Sequence, residues 1–183
     1  NTASSHSRLL YFQRMIEILG YKAHLLLALD FEQTFWRNFL INAPLFNGIR
    51  ETLLFLKEKE IPIAVVTDLT AQIQLRKLTY FGLEDTFDAV VTSEEVGQDK
   101  PDLRNFKLAL RKLNLSNKSL FWMIGDNANA DIFGAKQLNA VTFQKVNPKV
   151  NFVNSNLITD YTFHDYFVFL KQIKTFFKNN RFD

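Results

Sequence analysis

The sequence contains no cysteine, few prolines and glycines, and no long apolar run. The lack of cysteine excludes disulfide bonds, thiolate metal sites and cysteine nucleophiles. The apolar run near the start, Leu25 to Leu29, is far shorter than the roughly 20 residues that a membrane-spanning helix requires. No charged and then apolar leader precedes this run, so we predict a cytoplasmic protein without a membrane partner.

The remaining composition is typical of a globular chain. Of its 183 residues, 47% are hydrophobic and 22% are charged, enough for one main core with a small additional lobe. The net charge is only +3, and basic residues alternate with acidic ones except in the last stretch, Lys171 to Arg181. We interpret that stretch as a solvated helix face and predict no nucleic-acid partner. A monomer and a homodimer both stay open.

Helical and strand patterns divide the chain after Asn47-Gly48. Apolar residues at spacings of three and four predict two helices before this point, over Arg8 to Leu19 and Ala23 to Leu40. Beyond it, short β-branched runs alternate with helices of about ten residues, the pattern of a parallel sheet covered on both faces. The predicted strands are 61–67, 87–92, 120–124, 140–146 and 157–161, and the predicted helices include Ile49 to Lys57 and Asn129 to Leu138. We therefore predict an α/β, doubly wound, Rossmann-like sheet.

Residues with useful chemistry follow three of these strands. Thr67-Asp68 comes first, Lys100 follows within Gly97 to Pro101, and Asp126 and Asp131 come last. Since ligands bind beyond the carboxyl ends of the strands in such sheets, we expect these side chains to meet there. A hydroxyl, a cation and two carboxylates are what a phosphoryl group bound with Mg²⁺ requires. Each residue taken singly also fits a strand end, a surface lysine or a turn.

These three segments, in this order, resemble motifs two, three and four of the haloacid-dehalogenase-like superfamily. The resemblance implies that Thr67 and Asp68 bind phosphate, the latter through its neighbouring backbone, although many members have Asn at the position of Asp68. It implies that Lys100 neutralises the phosphate and that Asp126 binds Mg²⁺. Asp131 would either support the metal or orient Lys100. Thr67, Lys100 and Asp131 are thus the catalytic candidates.

The first motif of that superfamily carries the nucleophilic aspartate, and the only candidate is Asp30-Phe31-Glu32-Gln33-Thr34. The Leu and Ala residues before it favour a helix over a buried strand, and Trp36 and Leu40 continue a helical face. We interpret this segment as a decoy. Residues 1–43 would then be part of a helical cap, residues 44–183 the core domain, and the nucleophile would lie upstream of Asn1.

The resemblance implies a Mg²⁺-dependent phosphatase that hydrolyses a small phosphorylated metabolite through a phospho-aspartyl intermediate. A dehalogenase and a non-catalytic binding or regulatory protein with the same fold are the alternatives. The polar cap residues Ser5, His6, Arg8 and Tyr11 are weak candidates for contacting the substrate, with a purely structural role at least as well supported. No pair of histidines has the spacing of a metal site.

Overall fold

The strands form two parallel sheets. The computed structural model describes residues 3–146 and 159–179. Within them, β1 pairs with β2, and β3 pairs with β4, which pairs in turn with β5; every pair is parallel. The strands are β1 (Ala64–Thr67), β2 (Ala89–Thr92), β3 (Trp122–Gly125), β4 (Val141–Lys145) and β5 (Tyr161–Phe163).

Helices connect β1 to β2, β2 to β3 and β3 to β4, which confirms the predicted α/β Rossmann-like fold. The helices are α1 (Arg8–Ile18), α2 (Leu25–Ile41), α3 (Ile49–Glu58), α4 (Ala71–Tyr80), α5 (Ser93–Val96), α6 (Leu103–Lys112), α7 (Gly134–Lys136) and α8 (Tyr166–Asn179). Helix α3 packs against α8, while α6 packs against β1 and β2. None of the helices in the described ranges is both long and apolar enough to cross a bilayer.

An aromatic core lies between the second sheet and α8. Phe143, Phe163 and Phe169 are almost completely buried there, together with Leu56 from α3. The rings of Phe163 and Phe169 stack with their centroids 4.7 Å apart. Since full burial of a phenylalanine contributes about 1.5–3 kcal/mol, this cluster is a major source of the stability of the second sheet.

The first sheet has a smaller, aliphatic core. Leu53 of α3, Leu78 of α4 and Leu83 form its buried centre, with Val65 and Val90 packed against them. Both strands have the sequence Ala-Val-Val-Thr, whose β-branched residues favour a pleated backbone. Helix α3 therefore contributes to the cores of both sheets, with Leu53 to one and Leu56 to the other.

Helices α1 and α2 pack together as a hairpin, which we call the helical hairpin. Rings on the two helices meet, with the centroids of Phe12 and Phe31 5.7 Å apart. Asp30 lies inside α2, so the structure confirms that the segment resembling a first motif is helical. Glu32 of the same helix is buried and lies 3.6 Å from Arg76 of α4, measured from Oε1 to Nη1.

The structure departs from the predicted elements at several points. A regular helix was predicted over Asn129 to Leu138, but the chain forms a π-helix at Ala128–Phe133 followed by the short α7. The side-chain oxygen of Asn127 caps the π-helix by accepting from the amides of Asn129 and Ala130.

Strand β5, the first 3-10 turn and the short helix α5 also differ from expectation. Strand β5 begins at Tyr161, whereas the prediction ended there, and the earlier part of that prediction, up to residue 158, lies outside the described residues. A 3-10 turn at Ala3–His6 and helix α5 were not predicted, because a few residues show no periodicity.

Candidate active site

Lys100 joins the carboxyl ends of the two sheets. Its ammonium Nζ donates to the carbonyl of Val66 in β1 at 2.9 Å and to Oδ1 of Asp131 at 2.7 Å. Only 10% of the Lys100 side chain and 8% of the Asp131 side chain are exposed. A buried ion pair is costly to form unless its geometry is good, so its presence here requires the close contacts observed.

Asp68 holds the backbone of the same lysine. Its Oδ1 accepts a hydrogen bond from the amide of Lys100 at 2.9 Å. Asp68 follows β1 directly and Lys100 lies 32 residues further along the chain, so this bond ties the loop before α6 to the end of β1. The carboxylate at a position where the resembled motif often has Asn therefore has a structural contact that an Asn oxygen could also make.

Asp131 can lie close to the end of β3 because Gly125 has no side chain. A Cβ atom added to Gly125, at the end of β3, would lie 2.6 Å from Cγ of Asp131. Oδ2 of Asp131 accepts from the amide of Asn127 at 3.1 Å, while Oδ1 binds Lys100. The sequence left two roles open for Asp131, supporting the metal or orienting Lys100. Its contact with the Lys100 ammonium fits the second role.

Thr67 is the last residue of β1, and Asp126 directly follows β3, as expected. The hydrogen bonds of these two residues differ. The hydroxyl oxygen of Thr67 accepts from the amide of Leu69 at 3.3 Å. The carbonyl of Asp126 accepts from Nε2 of Gln144 at 3.3 Å. In the described part of the chain, no hydrogen bond or ion pair links either side chain to Lys100. The site is thus assembled around Lys100, Asp68 and Asp131, with Thr67 and Asp126 beside it in sequence.

Asp126 affects one neighbouring group electrostatically. Burial, together with the negative charge of Asp126, raises the pKa of Tyr166 to about 12. Tyr166 begins α8, so this helix lies close enough to the end of β3 for its first residue to sense the Asp126 carboxylate. The Tyr166 phenol therefore stays neutral at physiological pH.

The donor set is compatible with Mg²⁺. Across residues 3–146 and 159–179, no cluster of three or more histidine, aspartate or glutamate side chains is arranged to hold a metal. Mg²⁺, however, is commonly held by one or two carboxylates, with water and substrate phosphate completing its shell. Asp126, which is exposed, has carboxylate oxygens of that kind, whereas both oxygens of Asp131 already accept hydrogen bonds.

A polar cavity of about 840 Å³ opens beside Lys100. Asp68, Lys100 and Asn127 line it, and so do two residues that the sequence did not single out, Asp99 and Gln137. His6 is a further polar residue of the lining. The sequence made His6 a weak candidate for contacting the substrate, with a purely structural role at least as well supported.

His6 reaches the cavity through a contact with Asp99. The Nε2 atom of His6 lies 3.1 Å from Oδ2 of Asp99, whose side chain is only 9% exposed. Asp99 precedes Lys100 directly, and this adjacency was the one available signal for its importance. The 3-10 turn that carries His6 packs against α5, which precedes the same loop.

Curated proteins similar to this chain are named as phosphatases. The chain is 42% identical over 145 residues to a ribulose-1,5-bisphosphate 5-phosphatase from Halopiger xanaduensis, covering 79% of this chain and 59% of that protein. It is 34% identical over 112 residues to a glyceraldehyde 3-phosphate phosphatase from Methanocaldococcus jannaschii, covering 61% of this chain and 49% of that protein. The chain thus spans between about half and three fifths of the length of these relatives.

Solved structures share the fold at lower identity. A 2-haloacid dehalogenase from Pseudomonas syringae superimposes with a TM-score of 0.74 at 24% identity, over 94% of this chain and 70% of that one. A HAD phosphatase from Thermococcus onnurineus has a TM-score of 0.67 at 20% identity, over 86% of this chain and 68% of that one. At these identities the likeness shows the fold alone. The family described as haloacid dehalogenase-like hydrolase matches residues 27–144, and the chain belongs to that family.

Proposed function

We propose that the protein is a Mg²⁺-dependent phosphatase that hydrolyses small phosphate monoesters. The observation that carries this proposal is the buried ammonium of Lys100, held by Asp131 and by the Val66 carbonyl between the ends of the two sheets. A fixed cation at the rim of a polar cavity is suited to a phosphate whose charge changes during reaction. The names of the similar curated proteins support the same reaction class.

Each proposed site residue has a separate task. The hydroxyl of Thr67 donates a hydrogen bond to a phosphate oxygen, and the backbone beside Asp68 contributes further donors. Lys100 neutralises the phosphate, and Asp131 keeps its ammonium in place. Asp126 is the main ligand of the metal. Mg²⁺ itself would supply positive charge that polarises the phosphate.

The proposal also requires a strand that the described residues do not supply. Strands β1 and β3 belong to different sheets, and their residues are half-buried, whereas their partners β2 and β4 are largely buried. In a doubly wound sheet the inner strands are normally the most buried. We propose that a further strand lies between β1 and β3 and completes one sheet, since unpaired buried edges are unfavourable.

The carboxyl end of that strand would place an aspartate beside Lys100. In the proposed reaction its carboxylate attacks phosphorus, the bond from phosphorus to the ester oxygen breaks, and that oxygen takes a proton from water and leaves as the alcohol. Water then hydrolyses the phospho-aspartate and releases inorganic phosphate. A neighbouring cation lowers the repulsion between the attacking carboxylate and the phosphate, which is the role assigned to Lys100.

We further propose that residues 1–43 act as a cap that limits the access of water and selects the substrate. Glu32 of the helical hairpin contacts Arg76, and His6 of the 3-10 turn before the hairpin contacts Asp99. The second of these lies on the cavity that contains Lys100. A small phosphorylated metabolite is the substrate class that fits a polar cavity of this size.

The test is the release of inorganic phosphate by the whole protein from a panel of monoesters, with and without Mg²⁺. We expect turnover that requires Mg²⁺ and that falls by about 100-fold in Asp126→Asn at low Mg²⁺, with partial recovery as Mg²⁺ is raised. Asp85→Asn removes an exposed carboxylate elsewhere and is the control. Absence of phosphate release from every ester, or full turnover of Asp126→Asn at low Mg²⁺, would contradict the proposal. Release of halide from a 2-haloacid supplied in place of the esters would support the dehalogenase alternative.

A further inference from the structure

The cavity beside Lys100 has one polar side chain that comes from the helical end of the chain. His6 ends the 3-10 turn at Ala3–His6, 94 positions before Lys100 in the sequence, yet it lines the same cavity. The turn is supported by Tyr11 of α1, whose hydroxyl donates to the carbonyl of Ser5. His6 thus has a defined position at the boundary between the helical hairpin and the Lys100 loop.

Asp99 determines which nitrogen of His6 is available to a ligand. A carboxylate only accepts hydrogen bonds, so the hydrogen between the two groups resides on Nε2 of His6. In the neutral ring, the other nitrogen, Nδ1, is then an acceptor. No described residue is bonded to Nδ1, and the His6 side chain is 34% exposed, so this nitrogen can meet a group in the cavity.

Asp99 is itself held in place and cannot readily serve a ligand directly. The Asp99 side chain is only 9% exposed. Its Oδ1 atom is buried and has no hydrogen-bond partner among the described residues. Such a group is costly to bury, and the bond from His6 offsets part of that cost. This arrangement makes Asp99 a positioning residue and His6 the residue that faces the cavity.

We infer that His6 is a specificity residue that accepts a hydrogen bond from a hydroxyl group on the carbon chain of the substrate. The inference rests on the proposed phosphatase function and narrows its substrate class to hydroxylated phosphate esters. Lys100 and His6 line one cavity, so a small ester bound at Lys100 through its phosphate extends its carbon chain toward His6. In the neutral imidazole, the bond from Nε2 to Asp99 leaves Nδ1 as the accepting nitrogen.

The experiment compares two esters that differ only in their hydroxyl groups, glycerol 3-phosphate and n-propyl phosphate. We expect the whole protein to prefer glycerol 3-phosphate in kcat/KM by on the order of tenfold, the effect of one hydrogen bond. His6→Phe keeps a ring without its nitrogens, and His6→Ala removes the ring altogether. Both variants should bring the ratio of the two kcat/KM values close to one through a loss on glycerol 3-phosphate alone. Asp99→Asn should lower the ratio by a smaller factor.

The control is His24→Ala, which removes an exposed histidine at the start of α2, outside this cavity. This variant should keep the wild-type ratio. An equal loss on both esters in the His6 variants would show a merely structural role and overturn the inference. An unchanged ratio in both His6 variants, or a wild-type protein that does not distinguish the esters, would overturn it as well.

Binding measurements separate this inference from the proposed function. The Kd values of both esters are measured by titration calorimetry on the whole protein with excess chelator. If no ester of the panel is hydrolysed, the proposed function fails. Tighter binding of glycerol 3-phosphate by the wild type, lost in His6→Phe, would still support the inference. Equal or undetectable binding of the two esters would overturn it.

Discussion

The Lys100 loop and the helical hairpin contribute to the same cavity in opposite ways. The Lys100 side chain is only 10% exposed. Three hydrogen bonds of 2.7–2.9 Å connect its amide and its ammonium to Asp68, Asp131 and Val66. The hairpin meets the rest of the molecule through the longer contact of Glu32 with Arg76, and the 3-10 turn before it does so through His6. The hairpin also has large apolar residues on its surface, such as Leu26, which is 85% exposed. The comparison teaches that the Lys100 loop is rigidly built, whereas the helical hairpin, the proposed cap, is more loosely attached.

The largest effect should follow the loss of the rigid cation. We expect Lys100→Ala to lower kcat/KM by about 1,000-fold on every ester, because one preorganised charge at a reacting group contributes on the order of 10²–10³ in rate. The measurement is steady-state phosphate release by the whole protein. Lys107→Ala removes an exposed lysine of α6 and should be close to wild type. Wild-type turnover of Lys100→Ala would contradict the role of Lys100 as a fixed cation in the reaction.

A second prediction compares the packing of the two regions. Phe163 in the aromatic core is 1% exposed, whereas Phe39 on the helical hairpin is 43% exposed. We expect Phe163→Ala to lower the free energy of unfolding by about 3–5 kcal/mol, and Phe39→Ala by less than about 1 kcal/mol. Urea denaturation of the whole protein measures both. Equal losses would mean that the hairpin is packed as firmly as the sheet.

The smallest effect should come from the contact of the hairpin with α4. A double-mutant cycle of Glu32→Gln and Arg76→Gln should give a coupling energy below about 1 kcal/mol, because the atoms are 3.6 Å apart and Arg76 is 34% exposed. The exposed pair of Arg14 and Glu17 within α1 is the reference and should show almost no coupling. A coupling energy above about 3 kcal/mol would show that the hairpin is fixed as tightly as the Lys100 loop.

Much of the fold could be predicted from local patterns. The predicted helices over Arg8 to Leu19 and Ile49 to Lys57 agree with α1 and α3 within one residue at each end. The strand ends at Thr67 and Thr92 are confirmed to the residue. These segments have clear apolar periods and clear turn residues after them, and such signals act within a few residues.

The errors arose where distant residues decide the backbone. The π-helix forms where Asp131 must approach Gly125 and reach Lys100, contacts that no local pattern contains. The sequence also did not indicate the contact of His6, because its partner, Asp99, is 93 positions away. The family resemblance, by contrast, was confirmed, because motifs keep their order along the chain.

The sequence alone determined the α/β class and family of this protein, because apolar periods and ordered motifs are properties of neighbouring residues. Tertiary structure decided what those motifs contact: it joined Lys100 to Asp131, tied Asp68 to the Lys100 amide, and brought His6 to the same cavity. The physical reason is that hydrogen bonds and ion pairs act over a few ångströms in space. Residues that are 31 to 93 positions apart can meet only after the sheets and helices have packed.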